Sequence, residues 1–221
     1  MITRLPRWAW FGAWVLAFIA GMINVVGLLG VEHQAVTHLT GTTSMLSAAI
    51  AGRDGGLALH LGAIISSFVF GTILSGFLIQ DSTLQLGRRY GVALMIETLL
   101  LCVAVVFLRR HNAFGEYFAS CACGLQNAMV STFSGAVVRT THLSGMFTDI
   151  GIAIGHAIRG LPMDRRRVRL YALIISAFFT GGVAGAGAFQ HFGYGTLLIP
   201  AALTGFTSMS YGIYRLREAR R

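Results

Sequence analysis

Long apolar runs alternate with short polar stretches along the whole chain. Six runs, at about 8–29, 57–79, 90–108, 115–137, 168–189 and 195–214, predict spanning helices, because about 20 apolar residues rising 1.5 Å each cross a hydrocarbon core of about 30 Å. Two more segments, at about 34–52 and 140–159, are apolar only towards their C-terminal ends and open with Thr, His, Ser and Gly. They either cross or re-enter. No long polar stretch separates the runs, so residues 1–221 are expected to form a single all-α membrane domain. The first run follows Arg4 and Arg7 as the core of a signal peptide would. Its 22 residues, Trp8–Leu29, are long enough to span and no A-x-A site follows, so an uncleaved helix is expected, with Trp8 and Trp10 at the interface.

Composition agrees with the pattern. Of 221 residues 55% are hydrophobic and only 11% charged, against about a quarter charged in soluble domains. The basic residues are 17 Arg and no Lys, opposed by 8 acids. They sit in short clusters between apolar runs, which is the habit of cytoplasmic membrane loops and excludes a nucleic-acid partner. The densest cluster, Arg165, Arg166, Arg167 and Arg169, suits anionic lipid headgroups, so membrane lipids are expected partners. The arginine bias leads us to expect both termini on the cytoplasmic side. The bias does not fix the number of crossings. With eight, 14 Arg lie inside and Arg88, Arg89 and Arg139 outside; with six, 14 again lie inside and Arg53, Arg109 and Arg110 outside. Eight crossings make two parallel halves and six make two inverted ones.

Two halves are implied by an ordered set of echoes. Gly21-Met-Ile-Asn24 returns as Gly124-Leu-Gln-Asn127, His38-Leu-Thr-Gly41 as His142-Leu-Ser-Gly145, and Tyr90-Gly91 as Tyr194-Gly195. Gly71 and Gly76 return as Gly182 and Gly187 after a longer basic loop. The halves are placed at about 8–110 and 115–215, with four segments each.

LAFIAGMINVVGLLG, THLTG, CGLQNAM and TTHLSGMFTDIG together resemble the YoaK family, uncharacterised small bacterial membrane proteins with about six spans. The resemblance covers nearly the whole chain and implies the fold but no substrate. Relatives often carry Asp where this chain has Asn24, and Asn where it has Thr42 and Met146. An acidic or amide contact available to them is missing here.

The duplicated His-Leu-Thr/Ser-Gly carries the sharpest chemical expectation. Thr40 and Ser144 are suited to N-caps, and Gly41 and Gly145 to a broken or closely approached backbone. Helices starting there would aim unpaired N–H groups and a positive dipole end at an anionic group, with His38 and His142 beside it as polar contacts or proton carriers. As plain structure, the same residues would be interfacial helix starts. Asn24 and Asn127 must face protein or water, either lining a path or bonding between helices. Of the acids, Glu97 and Asp149 lie in apolar surroundings. Asp149 falls near the expected site or complements its helix dipole, and Glu97 is a candidate proton site or an inter-helix pair. Cys102, Cys121 and Cys123 read as packing residues. Gly151-x-x-x-Gly155 and Gly181-x-x-x-Gly185 allow close helix contact. Contact within the chain is the expected form, and a homo-oligomer stays open.

No enzyme motif, cofactor fingerprint or metal-ligand spacing is present. The expected function is passage of a small polar or anionic solute, with proton coupling through His38, His142 and Asp149. The alternative is a membrane scaffold that binds lipids or partners without transport.

Overall fold

The computed structural model describes residues 7–30, 35–79, 88–134 and 138–218. Among these the chain is helical, without strands: α1 (Arg7–Leu29), α2 (Leu39–Ala51), α3 (Gly55–Leu78), α4 (Arg88–Leu108), α5 (Phe114–Ser134), α6 (Leu143–Ile158), α7 (Arg165–Phe192) and α8 (Leu198–Glu218). Four helical stretches are long and apolar enough to cross a membrane: Trp8–Leu29, Gly55–Leu78, Arg89–Leu108 and Arg165–Tyr211. The last runs through α7 and α8, and at 47 residues it exceeds twice the length of one pass. It is bent at the 3-10 turn Gly193–Leu197, where Gly193 takes φ 53, a value a side chain would oppose. The two ambiguous segments are short. Helix starts only at Leu39 in the first and at Leu143 in the second; residues 31–34 and 135–137 lie outside the described residues.

Contacts between helices give their directions. Along α1 and α7, Trp10 lies under Arg166 at 5.8 Å, Phe18 meets Gly181, and Met22 meets Gly185. Numbers rise together, so the two run parallel. In α3 and α5, His60 meets Tyr117, the Ile64 carbonyl accepts from Ser120 at 2.9 Å, and Phe68 meets Gly124. These also run parallel. In α4 and α5 the numbers oppose: Leu108 meets Gly115, Glu97 meets Gln126, and Tyr90 meets Phe133. The same holds for α4 and α8, through Thr98 with Thr204 and Gly91 with Ser208. Trp8 on Phe133, ring centroids 5.5 Å apart, sets α1 against α5. Helices α1, α4 and α7 therefore point one way and α3, α5 and α8 the other.

A consequence concerns the short helices. The end of α1 and the start of α3 lie at one end of the molecule, so α2 leaves and returns on the same side. The end of α5 and the start of α7 lie at the opposite end, and α6 returns there. The α6 end carries the arginine-rich turns, including Arg89, Arg159 and Arg165–Arg169, while Arg53, Arg109 and Arg110 mark the other.

Glycines make the central crossings possible. A Cβ at Gly21 would strike the Phe178 carbonyl oxygen, and one at Gly181 the Phe18 carbonyl. On the second parallel pair, Gly124 meets the Phe68 carbonyl and Gly71 the Cys121 carbonyl. Backbone-to-backbone approach of this kind is how helices associate where lipid removes the hydrophobic drive. Gly181 and Gly185 thus pack within the chain as expected. Gly151 and Gly155 do not: among the described residues, nothing lies within 4 Å of where a Cβ would stand at either.

Candidate functional site

The two duplicated starts fold alike, and not as expected from Thr40 and Ser144. The N-caps are His38 (φ −96, ψ 65) and His142 (φ −96, ψ 55), and neither makes a side-chain cap bond. Thr40 and Ser144 sit inside the first turn, where their carbonyls accept from Ser44 and Thr148, each at 3.0 Å. The glycines answer to the imidazoles, since a Cβ at Gly41 would strike the His38 ring and one at Gly145 the His142 ring. Each ring folds over its own helix start and fills the place a capping side chain would take. Both histidines are exposed on the surface of the described residues, and no contact joins one to the other.

Asn24 anchors the first of these starts. Its Oδ1 accepts from the Thr37 N–H at 3.2 Å and from the Thr37 hydroxyl at 2.6 Å. The adjacent Val36 carbonyl accepts from Ser120 at 3.5 Å. Asn24 lies five residues before the end of α1 and Ser120 six residues after the start of α5, so Thr37 sits roughly 8 Å below the helix ends. The chain dips in as irregular backbone and α2 carries it out again. In the second half, Ser134 holds the entry by accepting from the Val138 N–H at 2.8 Å. Asn127 does not repeat the part of Asn24, for its buried Oδ1 has no partner among the described residues.

Asp149 is not at a buried site. It pairs with Arg167 at 3.0 Å, both side chains well exposed, and a pair of that kind contributes about 0–1 kcal/mol. Glu97 lies deep. It is 0% exposed at the α4–α5 contact, accepts from Gln126 Nε2 at 3.0 Å, and leaves Oε2 without a partner. One residue on, Thr98 bonds Thr204 of α8 at 2.8 Å. The centre therefore holds a carboxyl, an amide and two hydroxyls where α4 meets α5 and α8.

A cleft of about 710 Å³ opens between α1 and α8 at the arginine-rich end, with α4 and α5 behind it. Trp8, Phe11, Leu94, Met129, Phe133 and Phe206 supply most of its wall, and Tyr90, Thr207, Ser210 and Tyr211 its few polar side chains. A small polar solute finds few partners there. None of the candidate site residues singled out in the sequence lines it. Glu97 and Gln126 stand one helical turn beyond Leu94 and Met129, behind the cleft's inner end. At the opposite end, Ile23, Val36, Glu116, Tyr194 and Leu197 leave a cavity of only about 10 Å³. Among the described residues, one end is open and the other shut.

The family model described as a protein of unknown function, DUF1275, matches residues 12–210. The chain belongs to that family. The YoaK resemblance is consistent with it. No curated protein and no solved structure matches the chain. The DUF1275 match runs from the cleft-lining part of α1 to the cleft-lining end of α8, so it takes in both helix starts, the Glu97 centre and both ends.

One feature of this DUF1275 chain escaped sequence reasoning. His60 of α3 lies with Nε2 3.2 Å from Glu116 and Nδ1 3.0 Å from the Tyr117 hydroxyl, near the shut end. Glu116 is buried, yet in the first turn of α5 it looks like an acid placed for the helix dipole. Only the parallel packing of α3 on α5 reveals its partner. No group of three or more His, Cys, Asp or Glu among the described residues is arranged for a metal.

Proposed function

We propose that the chain is an alternating-access transporter of an organic anion in the bacterial inner membrane, with cytoplasmic termini and six crossings in two inverted halves. The observation that carries this reading is directional: α1 and α3 run opposite to their counterparts α5 and α7, and each pair encloses a helix that returns to its own side. The matched His38 and His142 caps support it. So do the four glycine contacts, which interchange when Gly21 is matched to Gly124 and Gly71 to Gly181 (one residue from the Gly182 match that spacing favours). Inverted halves of this sort are a recurrent transporter plan, with irregular backbone admitted only where protein or water covers it. A positive-inside orientation then places the open cleft on the cytoplasmic side.

In this reading Glu97 is the proton site. It is a carboxyl held between helices at the inner end of the cleft, and such groups mark proton relays by default. His38 and His142 shape the returning helices instead. Two labels test the architecture: with the native cysteines replaced, Asp54→Cys should react with an impermeant maleimide from outside intact spheroplasts, and Met163→Cys only after lysis. Reaction of both from one side removes the inverted arrangement. Transport is read as uptake of labelled octanesulfonate, which stays ionised and crosses bilayers slowly unaided, into proteoliposomes under an imposed pH gradient. Glu97→Gln should abolish gradient-driven uptake and spare exchange.

The scaffold alternative draws on the open Gly151 and Gly155 face of α6, to which a second copy or another membrane protein would bind.

A further inference from the structure

We infer that Glu116, bridged to α3 by His60, is a second proton-binding residue, loaded from the outer face when the shut end opens. The inference rests on the transport reading and adds to the central Glu97 the group that meets the proton on entry.

The small cavity at the shut end is a collapsed counterpart of the cleft. Under the matching of halves proposed above, five of its nine lining residues answer to residues that line the cleft. Glu116, Ala119 and Tyr194 answer to Ala13, Leu16 and Tyr90, and Val26 and Gly27 to Met129 and Val130. Opening this end as the other is open would therefore bring Glu116 to the wall of a second vestibule.

The two walls differ in chemistry at this place. His60 lies 3.2 Å from Glu116 and 3.0 Å from the Tyr117 hydroxyl, and the His60 and Glu116 side chains are only 14% and 4% exposed. With Gly71 matched to Gly181, the corresponding residues on α7 and α1 are Leu170, Ala13 and Trp14. Leu170 and Ala13 are buried as well. Apolar side chains thus satisfy the packing of this crossing at one end, so packing does not call for an imidazole and a carboxyl at the other. Replacing a buried ion pair by apolar groups is often neutral or stabilising. An ionisable pair kept inside a membrane instead marks a proton or ion path.

The charge balance gives the pair its task. With both ring nitrogens protonated, Nε2 donates to the Glu116 carboxylate and Nδ1 to the Tyr117 oxygen, and a further proton goes to the carboxylate. Among the described residues, the elements packed around Glu116 add Tyr194 of the 3-10 turn and Arg109, just past α4, whose guanidinium lies against Gly195. The end of α1 adds no titratable group, His38 is exposed over its own helix start, and Arg53, Asp54, Arg110 and His111 lie in exposed turns. An organic anion entering this vestibule would meet a carboxylate in a low-dielectric wall, where like charges repel strongly. A proton on Glu116 removes that charge, so proton uptake precedes anion entry on this side. At the arginine-rich end Ala13 imposes no such order.

Dicyclohexylcarbodiimide is the probe, because it adds to protonated carboxyls in apolar surroundings. The acid's proton passes to a carbodiimide nitrogen and its oxygen to the central carbon. The acyl group then migrates to nitrogen, and the stable N-acylurea is read by mass on the Glu116 peptide. The full chain is labelled in proteoliposomes of neutral phosphatidylcholine over a pH series. A Glu116 adduct is expected, with a yield that falls severalfold as the pH is raised through the neutral range. His60→Gln removes the facing imidazolium and should raise the yield at neutral pH; the wild-type series decides the matter even if that variant does not fold. Two results overturn the inference: no Glu116 adduct at any pH where the chain stays folded and Glu97 is modified, or a yield that does not change with pH. Glu116 would then be a fixed partner of His60, and transport through Glu97 would be untouched. A pH-dependent Glu116 adduct without octanesulfonate uptake would support the proton site and count against the transport reading.

Discussion

Under the matching of halves proposed above, the α4–α5 and α1–α8 contacts are counterparts, yet one is shut and the other open. Gly115 of α5 is pressed against Leu108 and the Ala104 carbonyl of α4, with no room for a Cβ. At its counterpart Gly12 of α1, nothing among the described residues lies within 4 Å of where a Cβ would stand. The sequence allows both contacts to close, because a glycine stands ready on each side. The difference therefore points to a conformation and not to a defect of packing. Exchange of the two forms would shut the arginine-rich end and open the other, which is the motion that inverted halves make available.

The sharpest way to break this comparison is to fill each glycine in turn. Gly115→Leu should destabilise by about 3 kcal/mol through overpacking, seen as a large loss of thermal stability in detergent, whereas Gly12→Leu should leave it unchanged. Equal effects would mean that the two contacts are alike in the protein. Next comes the buried pair behind the closed contact. Gln126→Leu leaves the Glu97 carboxyl without its donor and should cost about 1–3 kcal/mol, while Glu97→Gln keeps an amide in place and should cost far less. Urea or thermal unfolding of the two variants side by side reads the order.

A smaller effect separates Asn24 from Asn127. Asn24→Ala removes the acceptor of two bonds from Thr37, a loss of about 1–2 kcal/mol, and should loosen the entry to α2 in hydrogen exchange. Asn127→Ala removes an unpartnered oxygen and should be near neutral. Last is Asp149→Asn, whose exposed pair with Arg167 contributes about 0.5 kcal/mol or less, so its Tm should barely move.

The hydrophobic pattern foretold helices and their approximate bounds, because a membrane leaves few other solutions for apolar runs. The echoes of Gly21, His38 and Tyr90 raised the expectation of two related halves. What spacing alone left open was direction, since the arginine bias is identical for six and eight crossings. Cross-helix contacts were needed to supply it: Ile64 with Ser120, and Phe18 with Gly181. The site was read less well, for a physical reason. A repeated polar motif draws attention to the groups that break helices, and His38 and His142 proved to cap their own starts. The cleft is made of residues such as Trp8, Leu94 and Phe206, which in a membrane sequence look like every lipid-facing residue. Glu97 stood out in both views because a carboxyl amid α4 needs a partner between helices, and Gln126 supplies one.

Alternation requires the open contact to close. With the native cysteines replaced, Gly12→Cys and Ser208→Cys place thiols at the counterparts of Gly115 and Ala104. The measurement is their oxidation to a disulfide in native membranes, which requires Cα atoms about 4.4–6.8 Å apart. Alternation predicts that the bond forms, that it closes the arginine-rich end, and that it then protects an Ala13→Cys-type label site in the cleft from a cytoplasmic reagent. Failure to cross-link under conditions that readily oxidise a control pair across the closed contact, Gly115→Cys with Ala104→Cys, would mean that the cleft is a fixed feature and that the chain does not alternate.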